Sequence, residues 1–305
     1  IINALKDQAS VLTLTSRAFH NNVLGEYEKY MTDLFGYDKV LPMNTGVEGG
    51  ETANKLARKW GYNIKGIEKN KARIIFAKGN FWGRTLAAIS SSDDPVSYEG
   101  FGPYMPGYDL IPYNNLELLE KELKDPNVCA FMVEPIQGEG GIRVLPEPFL
   151  KEIRAICDEK NILLILDEVQ CGVGRSGKLF AHEWVEIEPD IMMVAKGIGG
   201  GFPLGAVLAK ENAASGMTAG THGSTYGGNP LGCSIGLKVM EIISDPDFLY
   251  DVNRKAKLFH DGLLELLKKN TSVFEEVRGK GLMLGLKCKV QNIDVVNAGY
   301  SNRLL

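Results

Sequence analysis

Four short, almost unbroken apolar runs constrain the chain more than any other feature: residues 72–77, 128–133, 162–166 and 191–195. Each is too short for a buried helix and lacks the polar alternation of a strand with one wet face. Each therefore reads as a strand buried on both sides. Between them lie stretches with helical spacing, such as residues 148–159, where Phe149, Leu150, Ile153 and Ile156 share one face. Such alternation from residue 38 to residue 209 predicts an α/β fold, a mostly parallel sheet sandwiched by helices.

Around this frame the signals are weaker. Residues 1–35 look helical, with apolar stripes at Ile2, Leu5 and Ala9 and at Tyr27, Tyr30, Met31 and Leu34. Further strands are expected at 37–43, 109–113 and 206–209, and helices from Asn44 to about Tyr62 and at 116–123, 231–243 and 248–267. Residues 90–107 read as loop, and 274–288 as two strand-like runs. The expected partition is an N-terminal helical segment at 1–35, part of a small domain, a large cofactor-binding domain at 36–245, and the start of a truncated C-terminal small domain at 246–305.

Composition excludes several functions. A net charge of −4 gives no case for a nucleic-acid partner. No apolar run approaches the roughly 18 residues that span a membrane. The five cysteines are widely spaced and odd in number, so they suggest neither a zinc site nor a disulfide framework. A reducing intracellular compartment follows, cytoplasm or mitochondrial matrix.

The polar residues at the ends of the apolar runs carry the chemistry. Lys196 follows the run at 191–195 and is itself followed by glycines. In α/β sheets ligands sit beyond the carboxyl ends of strands, where a lysine amine can reach a carbonyl and form a Schiff base. Taken alone, a strand-end lysine is usually a surface residue. Asp167 changes that reading, because it ends the most apolar strand and needs a cation or donor opposite it. Asn44-Thr-Gly-Val-Glu-Gly-Gly50 opens a helix whose free amides could cradle a phosphate, although many helices begin with such caps. Phe81 and Trp82 could stack on a flat ring and Arg84 could fork onto a carboxylate, or the three could be a core cluster with a surface arginine. Glu134 and Glu139 lie in a glycine-rich loop after a strand, as site residues or as caps of nearby helices. The hydroxyls of Ser224 and Thr225 suit a phosphate or the backbone. Together these are the groups that pyridoxal 5'-phosphate needs.

Six ordered motifs resemble the fold-type I, class III aminotransferases, and within them the ornithine aminotransferases. They are Asn44-Thr-Gly-Val-Glu-Gly-Gly-Glu-Thr-Ala53, Asn80-Phe-Trp-Gly-Arg-Thr85, Val133-Glu-Pro-Ile-Gln-Gly-Glu139, Asp167-Glu-Val-Gln170, Ala195-Lys-Gly197 and His222-Gly-Ser-Thr-Tyr-Gly-Gly-Asn-Pro230. The resemblance implies that Lys196 is the Schiff-base lysine and proton shuttle and that Asp167 pairs with the pyridinium nitrogen. Gln170 would bond the ring oxygen, Gly46 and Val47 the phosphate, and Phe81 would stack on the ring. Thr225 would reach the phosphate of a neighbouring subunit, making a homodimer with shared sites. Trp82, Arg84, Glu134 and Glu139 would line the substrate site, with Arg84 on a carboxylate of 2-oxoglutarate and Glu139 switching an arginine. The implied reaction moves the δ-amino group of L-ornithine to 2-oxoglutarate, giving glutamate semialdehyde and glutamate. No metal is implied. Glu139-Gly-Gly141, Cys171-Gly-Val-Gly-Arg175 and Gly199-Gly-Gly-Phe-Pro203 are similar to acetylornithine aminotransferases, the alternative enzyme, and a non-catalytic cofactor-binding homologue is a second alternative. The family's chains extend further at both ends, and the matching arginine partner of Glu139 is not found in this sequence.

Overall fold

A computed structural model describes residues 1–304. Eleven strands are present among them: β1 (Lys39–Met43), β2 (Arg73–Ala77), β3 (Tyr108–Ile111), β4 (Val128–Val133), β5 (Ile136–Gln137), β6 (Arg143–Val144), β7 (Leu163–Asp167), β8 (Ile191–Val194), β9 (Gly205–Ala209), β10 (Phe274–Lys280) and β11 (Met283–Cys288). Seven form the central sheet in the order β1-β9-β8-β7-β4-β2-β3. From β3 to β8 every pairing is parallel, while β9 runs antiparallel to both β8 and β1. Two reversals return β1 to the common direction, so β9 alone opposes the others. The expected mostly parallel sheet is present, and the apolar runs are its centre: every residue of β4, β7, β8 and β9 is buried.

Period-two side-chain alternation sends neighbouring residues to opposite layers. Ile74, Phe76, Ala130, Met132, Leu163 and Ile165 face helix Gly46–Asn63, which contributes Ala53, Leu56, Ala57 and Trp60. Ile75, Ala77, Phe131, Val133, Leu164 and Leu166 face the opposite layer, packing with Leu119 of helix Leu116–Glu122 and with Leu150, Ile153 and Cys157 of helix Glu147–Glu159. Continuing on that side, Met192, Val194, Ala206 and Leu208 share a cluster with Tyr27 and Met31 of helix Leu24–Phe35 and with helix Pro230–Ile243. The N-terminal stripe at Tyr27 and Met31 thus packs on the large sheet.

The remaining elements depart from the sequence reading in small ways. The loop at 90–107 contains a helical turn, Pro95–Tyr98, capped by Asp94, whose side chain accepts from the Val96 amide. Strands β5 and β6 form a two-residue ladder beside the site. Helix Asn292–Ser301 has no buried residue, which is why no core stripe announced it. Strands β10 and β11 pair as an antiparallel hairpin. No helix among the described residues is long and apolar enough to cross a membrane.

Candidate active site

Parallel strands finish on one side of a sheet, so residues far apart in sequence meet beyond their carboxyl ends. Strand β7 ends in Asp167, and β8 leads through Ala195 to Lys196. Strand β2 leads to Phe81, β4 to Glu134, and β1 to the helix that starts at Gly46. A cleft of about 430 Å³ lies there, and its walls include Gly46, Val47, Phe81, Trp82, Asp167 and Lys196. Six of the residues singled out from sequence therefore share one cavity. Thr45, Val169, Phe202 and Pro203 line it as well. Phe202 and Pro203 belong to the Gly199–Pro203 motif but were not singled out as site residues.

The helix mouth is built for an anion. Thr45 Oγ1 accepts from the Glu48 amide at 3.2 Å, while the Glu48 carboxylate accepts the Thr45 amide at 3.0 Å and the Asn44 amide at 2.7 Å. This reciprocal cap leaves the Gly46 and Val47 amides with no acceptor among the described residues. They stand at the positive end of an 18-residue helix, facing the cleft. A Cβ on Gly46 would come within 2.9 Å of Val169 Cγ1, so the backbone there stays bare.

Asp167 is 4% exposed, and its Oδ1 accepts the Val169 amide at 2.9 Å. Burial drives its carboxyl well above the usual carboxylate range, against the pull of the Val169 amide and of Lys196. Such a group is stabilised as an anion by a cation placed in the cleft. Lys196 is exposed to the cleft and sits at φ +48, a left-handed conformation costing about 1–2 kcal/mol for a residue with a Cβ. It opens the turn Lys196–Gly199. Phe81 is 36% exposed, with the Arg84 guanidinium carbon 5.9 Å from its ring centroid.

Other expected residues lie elsewhere. Trp82 touches the cleft but belongs to the core: its indole N–H donates to Ser91 Oγ at 2.8 Å, and its ring stacks on Phe76 at 6.2 Å. Arg84 is exposed and outside the cleft walls. Glu134 turns inward, accepting the Phe81 amide at 3.0 Å and the Gly138 amide at 3.3 Å. Glu139 is exposed and accepts from Gln170 Nε2 at 3.4 Å, and neither lines the cleft. Ser224 Oγ accepts from Asn44 Nδ2 at 3.1 Å and from the Gly227 amide at 2.9 Å, while Thr225 borders the segment from Leu14 to Arg17. Sequence reasoning also missed the partner of Glu168. That carboxylate is fully buried and takes the His182 Nδ1 at 3.0 Å with the Ala181 and His182 amides, each at 2.9 Å. Burial works against its charge, yet His182 and these donors hold its carboxyl below the ordinary value.

Free amides at a helix mouth, a buried acid, an amine and an open aromatic face in one cleft fit a phosphorylated pyridine ring. The mostly parallel sheet is that of the fold-type I enzymes. The chain belongs to the class-III aminotransferase family, whose profile matches residues 1–302.

It is similar to the mitochondrial ornithine aminotransferase of Drosophila ananassae, 55% identical over 98% of this chain and 67% of the relative. The mitochondrial ornithine aminotransferase of Rattus norvegicus is 53% identical over 93% of this chain and 64% of the relative. The acetylornithine aminotransferase of Rhodobacter capsulatus is 53% identical over 88% of this chain and 67% of that enzyme. Among solved structures, the ornithine aminotransferase of Toxoplasma gondii ME49 superposes with a TM-score of 0.97 at 42% identity, over 100% of this chain and 73% of that one. The chain thus spans about two thirds of the length of these curated relatives.

Proposed function

We propose that this chain carries the cofactor site of an ornithine δ-aminotransferase, which moves the δ-amino group of L-ornithine to 2-oxoglutarate. The observation that carries the reading is the meeting of Asp167, Lys196, Phe81 and the two free helix amides in one cleft. The similarity at 55% and 53% identity to ornithine aminotransferases directs the choice of substrate.

When bound, pyridoxal phosphate supplies an electron sink for the carbanion formed at the substrate carbon. The protein's residues do the rest. Gly46 and Val47 donate their amides to the phosphate. Asp167 would pair with the ring nitrogen and favour its protonated form. Phe81 covers one ring face and excludes water from it. Lys196 would hold the cofactor through its Nζ, and that amine, free once substrate is bound, would serve as the base for the proton on the substrate δ-carbon. A positioned general base of this kind contributes roughly 10²–10⁴ in rate. Gln170 and Arg84 lie outside the cleft walls, and in this reading each turns toward a bound ligand, Gln170 to the ring oxygen and Arg84 to a carboxylate of the 2-oxo acid.

Ser224 and Thr225 do not reach their own chain's cleft, which supports a homodimer in which Thr225 serves the site of a second copy. A matrix location is supported by the names of the insect and rat relatives. The activity is tested by loading the protein with pyridoxal phosphate and measuring glutamate semialdehyde from ornithine and 2-oxoglutarate. The parent protein is expected to form it and Lys196→Ala to form none. A Lys196→Ala variant working at the parent rate would overturn the assignment.

A further inference from the structure

We infer that Glu134 is a positioning residue that aligns Phe81 for ring stacking from behind the cleft wall, rather than a substrate contact. It is 6% exposed, and both of its oxygens are engaged by backbone. Oε1 accepts the Phe81 amide at 3.0 Å and Oε2 the Gly138 amide at 3.3 Å. One carboxylate therefore ties together two glycine-containing loops from different strands. The first presents the aromatic face of the cleft. The second is the seat of Gln170: a Cβ on Gly138 would lie 1.3 Å from Gln170 Oε1, so that side chain rests directly on the Gly138 backbone.

The energetics suit a device rather than an accident. Burying a carboxyl group is unfavourable unless its oxygens are hydrogen-bonded, as both are here. Burial and the neighbouring Asp167 both raise the Glu134 carboxyl above its ordinary value, and the two amides with Lys196 oppose them. A neutral core residue of the same size would avoid this penalty. It would also leave the Phe81 amide without an acceptor and its loop free to move. The ring then has many orientations to lose when a cofactor stacks on it, and that loss weakens binding.

The inference rests on the cofactor reading above, but not on which amino acid donates the amine. Glutamine tests it, because an amide presents one oxygen and one NH₂. However it is turned, one of the two backbone amides meets a donor instead of an acceptor. We would measure pyridoxal phosphate dissociation constants for the full chain, for Glu134→Gln, for Phe81→Leu and for the double variant. Loss of a buried hydrogen bond of this type corresponds to up to about tenfold in affinity. Glu134→Gln is expected to weaken cofactor binding about tenfold in the parent and less than about twofold beside Phe81→Leu, since the group being positioned is then gone. Faster hydrogen exchange at the Phe81 and Gly138 amides should accompany it, with a cooperative unfolding transition retained. If the glutamine variant fails to fold, Glu134→Asp, which keeps the carboxyl group but is one carbon too short, takes its place with the same expectations. Equal losses in both backgrounds would show that Glu134 acts on the site charge through Asp167, overturning the assignment while leaving the function intact. A parent protein that takes up no cofactor would overturn the proposed function itself, and the positioning role with it.

Discussion

Asp167 should trade stability for function, and the trade can be measured with a single isosteric change. In Asp167→Asn the Oδ1 acceptor remains, so the bond from the Val169 amide, 2.9 Å in the parent, can persist. Only the buried charge is removed. Because the folded-state carboxyl titrates well above the unfolded value, folding favours its protonated form. The destabilisation is absent below about pH 4, where the unfolded group is also protonated. It grows as pH rises and is complete above the folded-state value. Each tenfold change in proton affinity is worth about 1.4 kcal/mol, so the full effect is on the order of 2–4 kcal/mol. The cofactor-free asparagine variant should therefore unfold several degrees higher than the parent at pH 8 and at nearly the same temperature at about pH 3.5, below the unfolded carboxyl. Adding pyridoxal phosphate should reverse the order at pH 8, because only the parent has the anion that pairs with the ring. Thermal unfolding with and without cofactor at the two pH values reads both effects. An asparagine variant that is less stable at pH 8 without cofactor would refute the reasoning, since the aspartate charge would then be satisfied within the protein.

Other consequences follow from the packing. His182→Ala removes one of the donors that hold the buried Glu168 carboxylate and should destabilise the fold by about 1–3 kcal/mol in urea unfolding. The held-down Glu168 carboxyl gives the opposite pH dependence to Asp167: its contribution is present above about pH 4 and is lost as acid protonates it, so the His182→Ala difference should shrink in acid. Gly50→Ala would place a Cβ 2.2 Å from Trp82 Cε3, and shifting that packed ring should cost about 1–3 kcal/mol and weaken cofactor binding beside it, read by thermal unfolding and cofactor titration. Val47→Pro removes one of the two free helix amides and should weaken pyridoxal phosphate binding far more than binding of unphosphorylated pyridoxal, checked by comparing the two titrations.

The apolar runs made the sheet legible because strands buried on both faces must be continuously apolar. Where such strands end, candidate site residues follow, so Lys196 and Asp167, which meet in the cleft, could be proposed without coordinates. The helix mouth at Gly46 was legible for a similar reason, since its cap and glycine are local. Side-chain direction was not. Glu134 follows its strand as Asp167 ends its own, yet its carboxylate turns back to hold two amides. Trp82 and Phe81 are adjacent, and only the fold decides that one ring enters the core while the other faces the cleft. The Glu168–His182 pair joins two segments that carry no mutual signal in sequence. Helix Asn292–Ser301 buries nothing among the described residues, so no periodic stripe marked it.

The most direct test of the central claim is a single-turnover absorption spectrum of the cofactor-loaded protein, with L-ornithine or N-acetylornithine added and no 2-oxo acid present. An ornithine aminotransferase should lose the aldehyde-form band with ornithine and keep it with the acetylated compound. Loss with N-acetylornithine alone would move the chain to the acetylornithine enzymes, and a band unchanged by both would contradict the account.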